Sequence, residues 1–261
     1  MKEPNSQDII NSKKMIIETF FSFRKELLSN YGQVDYITKK DNSPVTSLDV
    51  KIENTLKNKL SKHFADFGFK GEETLEKKSN NGATWYVDPI DGTSSFIHGL
   101  PFCSNMASLV INNKIVASVI YHFVNDELFT ALKGDGAYKD GKRISVRENA
   151  LSNSYIFADS FSYINAYSFY SKEKVKFYAP MGATGYFMSR LAQGSIQGVC
   201  YLRAKIKPHD VAPGILLVNE AGGNIIQLKD ESTELNLDRF IACTDNIRDI
   251  TIKHLKQIKK L

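Results

Sequence analysis

Trp85-Tyr86-Val87-Asp88-Pro89-Ile90-Asp91-Gly92-Thr93-Ser94-Ser95-Phe96 runs a hydrophobic strand into two aspartates three residues apart, with a proline between them and Gly-Thr behind. The proline fixes its own φ and keeps the residue before it extended, so the two carboxylates can converge at the strand end. Two carboxylates about 4 Å apart repel by roughly 4 kcal/mol at an effective dielectric near 20. Holding them together at the mouth of a core strand makes physical sense when a cation sits between them. Hard oxygen donors with no His or Cys beside them point to Mg²⁺ or Mn²⁺ over zinc. Gly92-Thr93 then opens a short helix whose free N–H groups can hold an anion such as phosphate. Taken alone, an Asp-Pro turn followed by a helix cap is also a common structural device.

Upstream of this stretch the pattern is helical. Residues 7–30 carry Ile9, Ile10, Ile16, Ile17, Phe20, Phe21, Leu27 and Leu28 at three-to-four spacing, and Gly32 stops the run. Ile52, Leu56, Leu60 and Phe64, four apart, predict a second helix over 49–64, after the turn cluster Asp41-Asn42-Ser43-Pro44. From residue 84 short apolar runs at 84–87, 106–111, 115–122 and 127–132 predict strands. Asn112-Asn113 and Asn125-Asp126 supply turns, and Asp140-Gly141 signals a further hairpin. Beyond about 150 the pattern alternates. Strands are expected at 155–158, 198–202, 224–228 and 239–243, and helices at 185–193, 209–220 and the C-terminus to Lys259. A block of strands followed by alternation divides the chain into an α+β half, 1–150, and an α/β half, 151–261, packed in layers.

The chain has 261 residues, 42% of them hydrophobic and 24% charged, which suits a globular protein with a substantial core. No apolar run approaches the roughly 18 residues of a membrane span. The polar N-terminus lacks a signal-peptide core. Cys103, Cys200 and Cys243 are odd in number, widely spaced and form no CxxC pair, which reads as reduced thiols in a cytoplasmic protein. The net charge of +5 comes without any nucleic-acid-binding signature, so no nucleic-acid partner is expected. Lys256, Lys259 and Lys260 complement the dipole of a last helix.

Two further acidic segments flank the aspartate pair. Gly71-Glu72-Glu73 follows an apolar run, and Pro208-His209-Asp210-Val211-Ala212-Pro213-Gly214 opens a helix that reaches Glu220-Ala221-Gly222-Gly223. Either one alone is a surface turn or a helix cap. In this order, with Val45-Thr46-Ser47-Leu48-Asp49 ahead of them and Phe96, His98 and Pro101-Phe102 after Thr93, they resemble the inositol monophosphatase family. That family belongs to the wider superfamily that includes fructose-1,6-bisphosphatases. The resemblance spans most of the chain.

The resemblance implies a layered α-β-α-β-α sandwich of the α+β class and a Mg²⁺-dependent, Li⁺-sensitive phosphatase of small phosphate esters, acting as a homodimer. Glu72, Asp88, Asp91 and Asp210 would hold two or three Mg²⁺ ions, with the Ile90 carbonyl completing one shell. Thr93 and Asp49 would orient the attacking water, with Glu72 sharing that role. Gly92, Thr93 and Ser94 would bind phosphate. Inositol monophosphate is the default substrate.

Three positions depart from the family pattern. His209 stands where tryptophan is usual, and a packing or hydrogen-bonding role is expected of it, with direct catalysis the alternative. Pro213 falls in what is expected to be a first helical turn. Arg203, with Lys205 and Lys207, stands where inositol-specific enzymes place a glutamate, in a loop about two residues longer than usual. A cation there would favour a doubly anionic substrate, such as fructose 1,6-bisphosphate or 3′-phosphoadenosine 5′-phosphate, although a solvated basic loop fits equally well. Histidinol phosphate is a third candidate. A non-catalytic regulator that binds a phosphate ligand or RNA is the rival from another class.

Overall fold

The computed structural model of the chain describes residues 3–179, 182–202, 206–228, 235 and 239–258. In chain order the elements are α1 (Ser6–Asn30), β1 (Tyr36–Thr38), β2 (Pro44–Thr46), α2 (Ser47–His63), β3 (Gly68–Lys70), β4 (Ala83–Asp91) and α3 (Thr93–Ile97). There follow β5 (Ser104–Ile111), β6 (Lys114–His122), β7 (Glu127–Leu132), β8 (Gly136–Lys139), β9 (Lys142–Ile144), β10 (Tyr155–Ala158) and α4 (Ser160–Lys172). The chain closes with β11 (Lys176–Tyr178), α5 (Thr184–Ala192), β12 (Gly198–Tyr201), α6 (Pro208–Glu220), β13 (Asn224–Gln227), β14 (Phe240–Cys243) and α7 (Asp245–Ile258).

Seven strands form one sheet in chain order, β3 to β9, antiparallel except for the β3–β4 pair. Five form a second, ordered β11-β10-β12-β14-β13, with β10 parallel to both its neighbours. α1 and α2 cover one face of the large sheet. α5 and α6 lie between the sheets, and α4 and α7 cover the far face of the small sheet. This is the layered α-β-α-β-α sandwich expected from the sequence. Among the described residues no helix is long and apolar enough to cross a membrane.

Each interlayer space has its own core. Ile16, Phe20, Leu27, Ile52, Leu56 and Trp85, all fully buried, fill the first; they are the helical stripes of α1 and α2 against inward residues of β4. Burying a side chain of this size contributes about 1.5–3 kcal/mol. The middle layer differs. α6 touches both sheets, and Val211 through Val218 are all buried, so it has no polar face. α6 starts at Pro208, which makes Pro213 its sixth residue and not part of the first turn as expected. Its missing N–H therefore leaves the His209 carbonyl without its helical donor.

α4 and β11 were not expected. Asp159 caps α4 by accepting the N–H groups of Phe161 and Ser162 (2.9 and 3.1 Å). Phe161, Ile164 and Tyr167 stay exposed on its outer side, so apolar residues occur all round and erase the contrast that marks a helix. The helix ends at a left-handed Lys174 (φ 63°), not at the glycine that usually signals a stop.

Candidate active site

The register of β4 explains how two aspartates three apart reach the same side. Asp88 pairs with Met106 and Asp91 with Ser104, so three steps on β4 oppose two on β5. On a regular strand an odd separation points two side chains to opposite faces; one extra residue in a bulge restores them to one face. The proline is tolerated at this irregularity. The Ile90 N–H donates to Asp88 Oδ1 (3.1 Å), and the Asn105 amide donates to the Pro89 carbonyl (2.5 Å). Asp91 is held from above. Its oxygens accept the Thr184 and Gly185 N–H groups at the start of α5 (3.1 and 2.9 Å) and the Ser104 hydroxyl (3.3 Å).

Both aspartates are buried. Burial pushes Asp88 well above the ordinary carboxylate range, and repulsion from Glu72, Asp91, Asp210 and Asp49 adds to it. Asp91 is pushed up to about 7 by burial and by Asp210, against the pull of the α5 N–H groups. Asp210 rises to about 6 through burial and Glu72, although a third of its side chain reaches solvent. Its Oδ2 accepts the Lys207 N–H at the start of α6 (3.1 Å). Asp49 is pushed up to about 7 by burial, and its Oδ2 caps α2 by accepting the Thr46 N–H and hydroxyl (2.8 and 2.6 Å).

Glu72 reaches this field from the 71–74 loop. Lys39, beyond β1, bridges Glu72 (2.8 Å) and Glu73 (2.6 Å). Glu53, fully buried on α2, accepts the N–H groups of Glu72, Glu73 and Thr74. Sequence reasoning passed over Lys39, Glu53 and the Thr184-Gly185 amides. The one available signal was Glu53 itself, an acid one helical turn after Asp49 on a stripe that is otherwise apolar.

Gly92 turns the chain out of β4 with φ 80°, and a Cβ there would meet the Phe102 carbonyl at 2.4 Å. No other residue fits that turn. Thr93 opens α3, and its hydroxyl donates to the Ile90 carbonyl (2.9 Å), leaving oxygen lone pairs free to accept. Ser94 is exposed beside it.

His209 is buried and its pKa is lowered to about 4, chiefly by burial, so its ring is neutral. Its Nε2 lies 3.2 Å from Asp210 Oδ1 without hydrogen-bond geometry, which fits packing better than proton transfer. Arg203 and Lys205 lie outside the described residues, as do Lys259 and Lys260. Beside Thr184, Phe157, Phe187, Val199 and Tyr201 line a crevice of about 10 Å³, room for about one water. Phe157 stacks on Phe187 (4.8 Å) and Tyr201 on Phe240 (5.8 Å).

The donor set suits a hard cation. It is all oxygen, with Asp88 and Asp91 buried, and Asp88, Asp91 and Asp210 lean toward their protonated forms through burial and then mutual repulsion. Among the described residues no three acidic, His or Cys side chains close into a ready-made ion shell. The reason is visible in the partners above: Glu72 is turned to Lys39, and Asp91 and Asp210 to backbone N–H groups.

The model of the inositol monophosphatase family matches residues 7–260. Inositol monophosphatase 2 of Solanum lycopersicum is 30% identical over 256 residues, covering 90% of this chain and 91% of that one. A histidinol-phosphatase of Chlorobaculum parvum is 32% identical over 205 residues, covering 76% of this chain and 79% of its own. Among solved structures, the extragenic suppressor protein suhB of Bartonella henselae superposes with a TM-score of 0.84 at 29% identity, over 96% of this chain and 98% of that one. With the aspartates, the turn at Gly92 and the capped Asp49 in one place, this chain belongs to the inositol monophosphatase family.

Proposed function

We propose that the protein is a Mg²⁺-dependent phosphatase that hydrolyses a small phosphomonoester by direct attack of water. The observation that carries this is the cluster of mutually repelling carboxylates around the end of β4, with Asp88 and Asp91 buried; the contacts of Lys39 (2.8 Å) and Lys207 (3.9 Å) both fall on Glu72. Glu72, Asp88, Asp91, Asp210 and the Ile90 carbonyl would hold two or three Mg²⁺ ions. Mg²⁺ bound there supplies acidification of water and screening of phosphoryl oxygens. The chain's own groups do the rest. Thr93, its hydroxyl proton engaged by Ile90, accepts a hydrogen bond from the water and sets its direction. Asp49, poised near 7, holds or takes a proton. The Gly92 and Thr93 N–H groups, with Ser94, orient the phosphate. The test is phosphate release by wild type and by Asp88→Asn, with and without Mg²⁺. Release that is Mg²⁺-independent, or unchanged in the variant, overturns the proposal.

Inositol monophosphate is the default substrate. The similarity to a histidinol-phosphatase supports a second reading, histidinol phosphate, an ester whose non-reacting end carries a flat ring. Comparing kcat/KM for inositol 1-phosphate, fructose 1,6-bisphosphate, 3′-phosphoadenosine 5′-phosphate and histidinol phosphate decides between them. A preference for the bisphosphates would return the choice to the basic loop of Arg203. The same functional reading carries a homodimer, which light scattering tests.

A further inference from the structure

The 71–74 loop has no secondary structure of its own that could fix Glu72. Lys39 holds the carboxylate ends of Glu72 and Glu73, and the loop's backbone is held by Glu53. Glu53 Oε1 accepts the N–H groups of Glu72 (2.7 Å) and Glu73 (2.9 Å), and Oε2 accepts that of Thr74 (2.9 Å). Three consecutive amides thus converge on a single carboxylate that is 0% exposed. The fit leaves no spare room, because a Cβ on Gly71 would lie 2.0 Å from Glu53 Oε2. Glu53 sits four residues after Asp49 on α2, so both acids project from one helical face.

We propose that Glu53 is a positioning residue for the metal site: by clamping the amides of residues 72–74 it fixes where Glu72 stands relative to Asp49, Asp88 and Asp91. An apolar residue at 53 could pack against the loop but could not orient three N–H groups. A carboxylate with two accepting oxygens can, and the charge strengthens each bond. One turn of α2 thereby ties together two segments 23 positions apart in sequence, counting from Asp49 to Glu72. The inference rests on the functional reading above, since it takes Glu72 as a Mg²⁺ ligand.

The test compares wild type with Glu53→Gln, Glu53→Ala and Gly71→Ala. Glu53→Gln keeps shape and volume but turns an NH₂ toward one of the three donors. Gly71→Ala leaves Glu53 in place chemically and displaces it sterically. Two readouts are used: Mg²⁺ affinity of the metal-free protein by calorimetry, and hydrogen exchange of the 72–74 amides by mass spectrometry or NMR. In Glu53→Gln and in Gly71→Ala those amides are expected to lose protection and Mg²⁺ binding to weaken about 10- to 100-fold, the range seen when a group that orients a ligand is removed. Should Glu53→Ala fail to fold, the other two variants carry the comparison. Protection retained in Glu53→Gln, or Mg²⁺ affinity unchanged while protection is lost, overturns the proposal. If wild type binds no Mg²⁺, the phosphatase reading has failed; loss of 72–74 protection in the variants would then still support the clamp, and its retention would sink that too.

Discussion

Two charged clusters sit at opposite ends of α5, and they are built on opposite terms. At the N-terminal end of α5, Asp91 and its neighbours repel one another and are driven toward neutrality. At the C-terminal end Arg190 donates to Glu127 Oε2 (2.5 Å) and to His122 Nδ1 (3.2 Å), and Lys139 donates to Glu127 Oε1. His122, stacked on Tyr186 at 4.5 Å, is lowered to about 4 by burial and stays neutral. Its Nε2 meets the Ser189 hydroxyl at 2.7 Å, and that hydroxyl donates on to the Tyr186 carbonyl at 2.8 Å. Glu127 is held far below the usual carboxylate range by His122, Arg190 and Lys139. Ser189, His122 and Glu127 come in the order of a nucleophile, base and orienting acid. Ser189 is nonetheless 0% exposed and spends its proton on a backbone carbonyl, so this cluster is a rivet between α5 and the large sheet. Satisfied charge marks structure here; unsatisfied charge marks chemistry.

The largest effect that could break this contrast is at Asp88. Asp88→Asn should lower Mg²⁺-dependent turnover by about 10³-fold or more, since bound metal supplies several kcal/mol of transition-state stabilisation. Thermal stability of the metal-free variant should hold or rise, because one repelling charge is gone. Thr93→Ala comes next, with kcat down by roughly 10²-fold and the half-saturating Mg²⁺ concentration nearly unchanged in steady-state kinetics. An effect on Mg²⁺ alone would make Thr93 a helix cap only. Arg190→Met should behave in the opposite way to Asp88→Asn. Denaturant unfolding should show a loss of about 2 kcal/mol while kcat per folded molecule is kept.

The smallest expected effect is a pH dependence, and its sign separates the clusters. Asp49 and Asp91 near 7 and Asp210 near 6 hold protons in the folded state that the unfolded chain has already released. Their contribution is complete below the unfolded carboxylate value near 4 and is lost as pH rises through 6 to 7. The melting temperature of metal-free protein should therefore fall by a few degrees between about pH 5 and pH 8, and the rise on adding Mg²⁺ should be larger at pH 8. A metal-free Tm that climbs over this interval would mean the carboxylates are not mutually strained.

Much of this was legible beforehand. The three-to-four spacing located α1 within one residue of its N-terminal bound, and the Asp-Pro-Ile-Asp-Gly-Thr string located the acidic centre. What stayed hidden has physical causes. The β4 bulge depends on pairing with β5, which no local pattern announces. α4 has apolar residues on every side. Glu53 and Lys39 act through partners 19 to 34 positions away, and a chain read locally gives them no role. Pro213 falls in a first turn only when the count starts at Asp210, and the helix begins two residues earlier, at Pro208.

The middle layer has a consequence for how such a protein can change over generations. α6 carries Asp210 at its head and is enclosed by a sheet on either side, so nearly every substitution along it meets packed atoms. The outer side of α4, by contrast, leaves Phe161, Ile164 and Tyr167 exposed. Drift, or a designed library, should therefore rewrite that outer helix face freely while the acid-bearing frame stays as it is: a scaffold with one immovable wall and one that can be repapered.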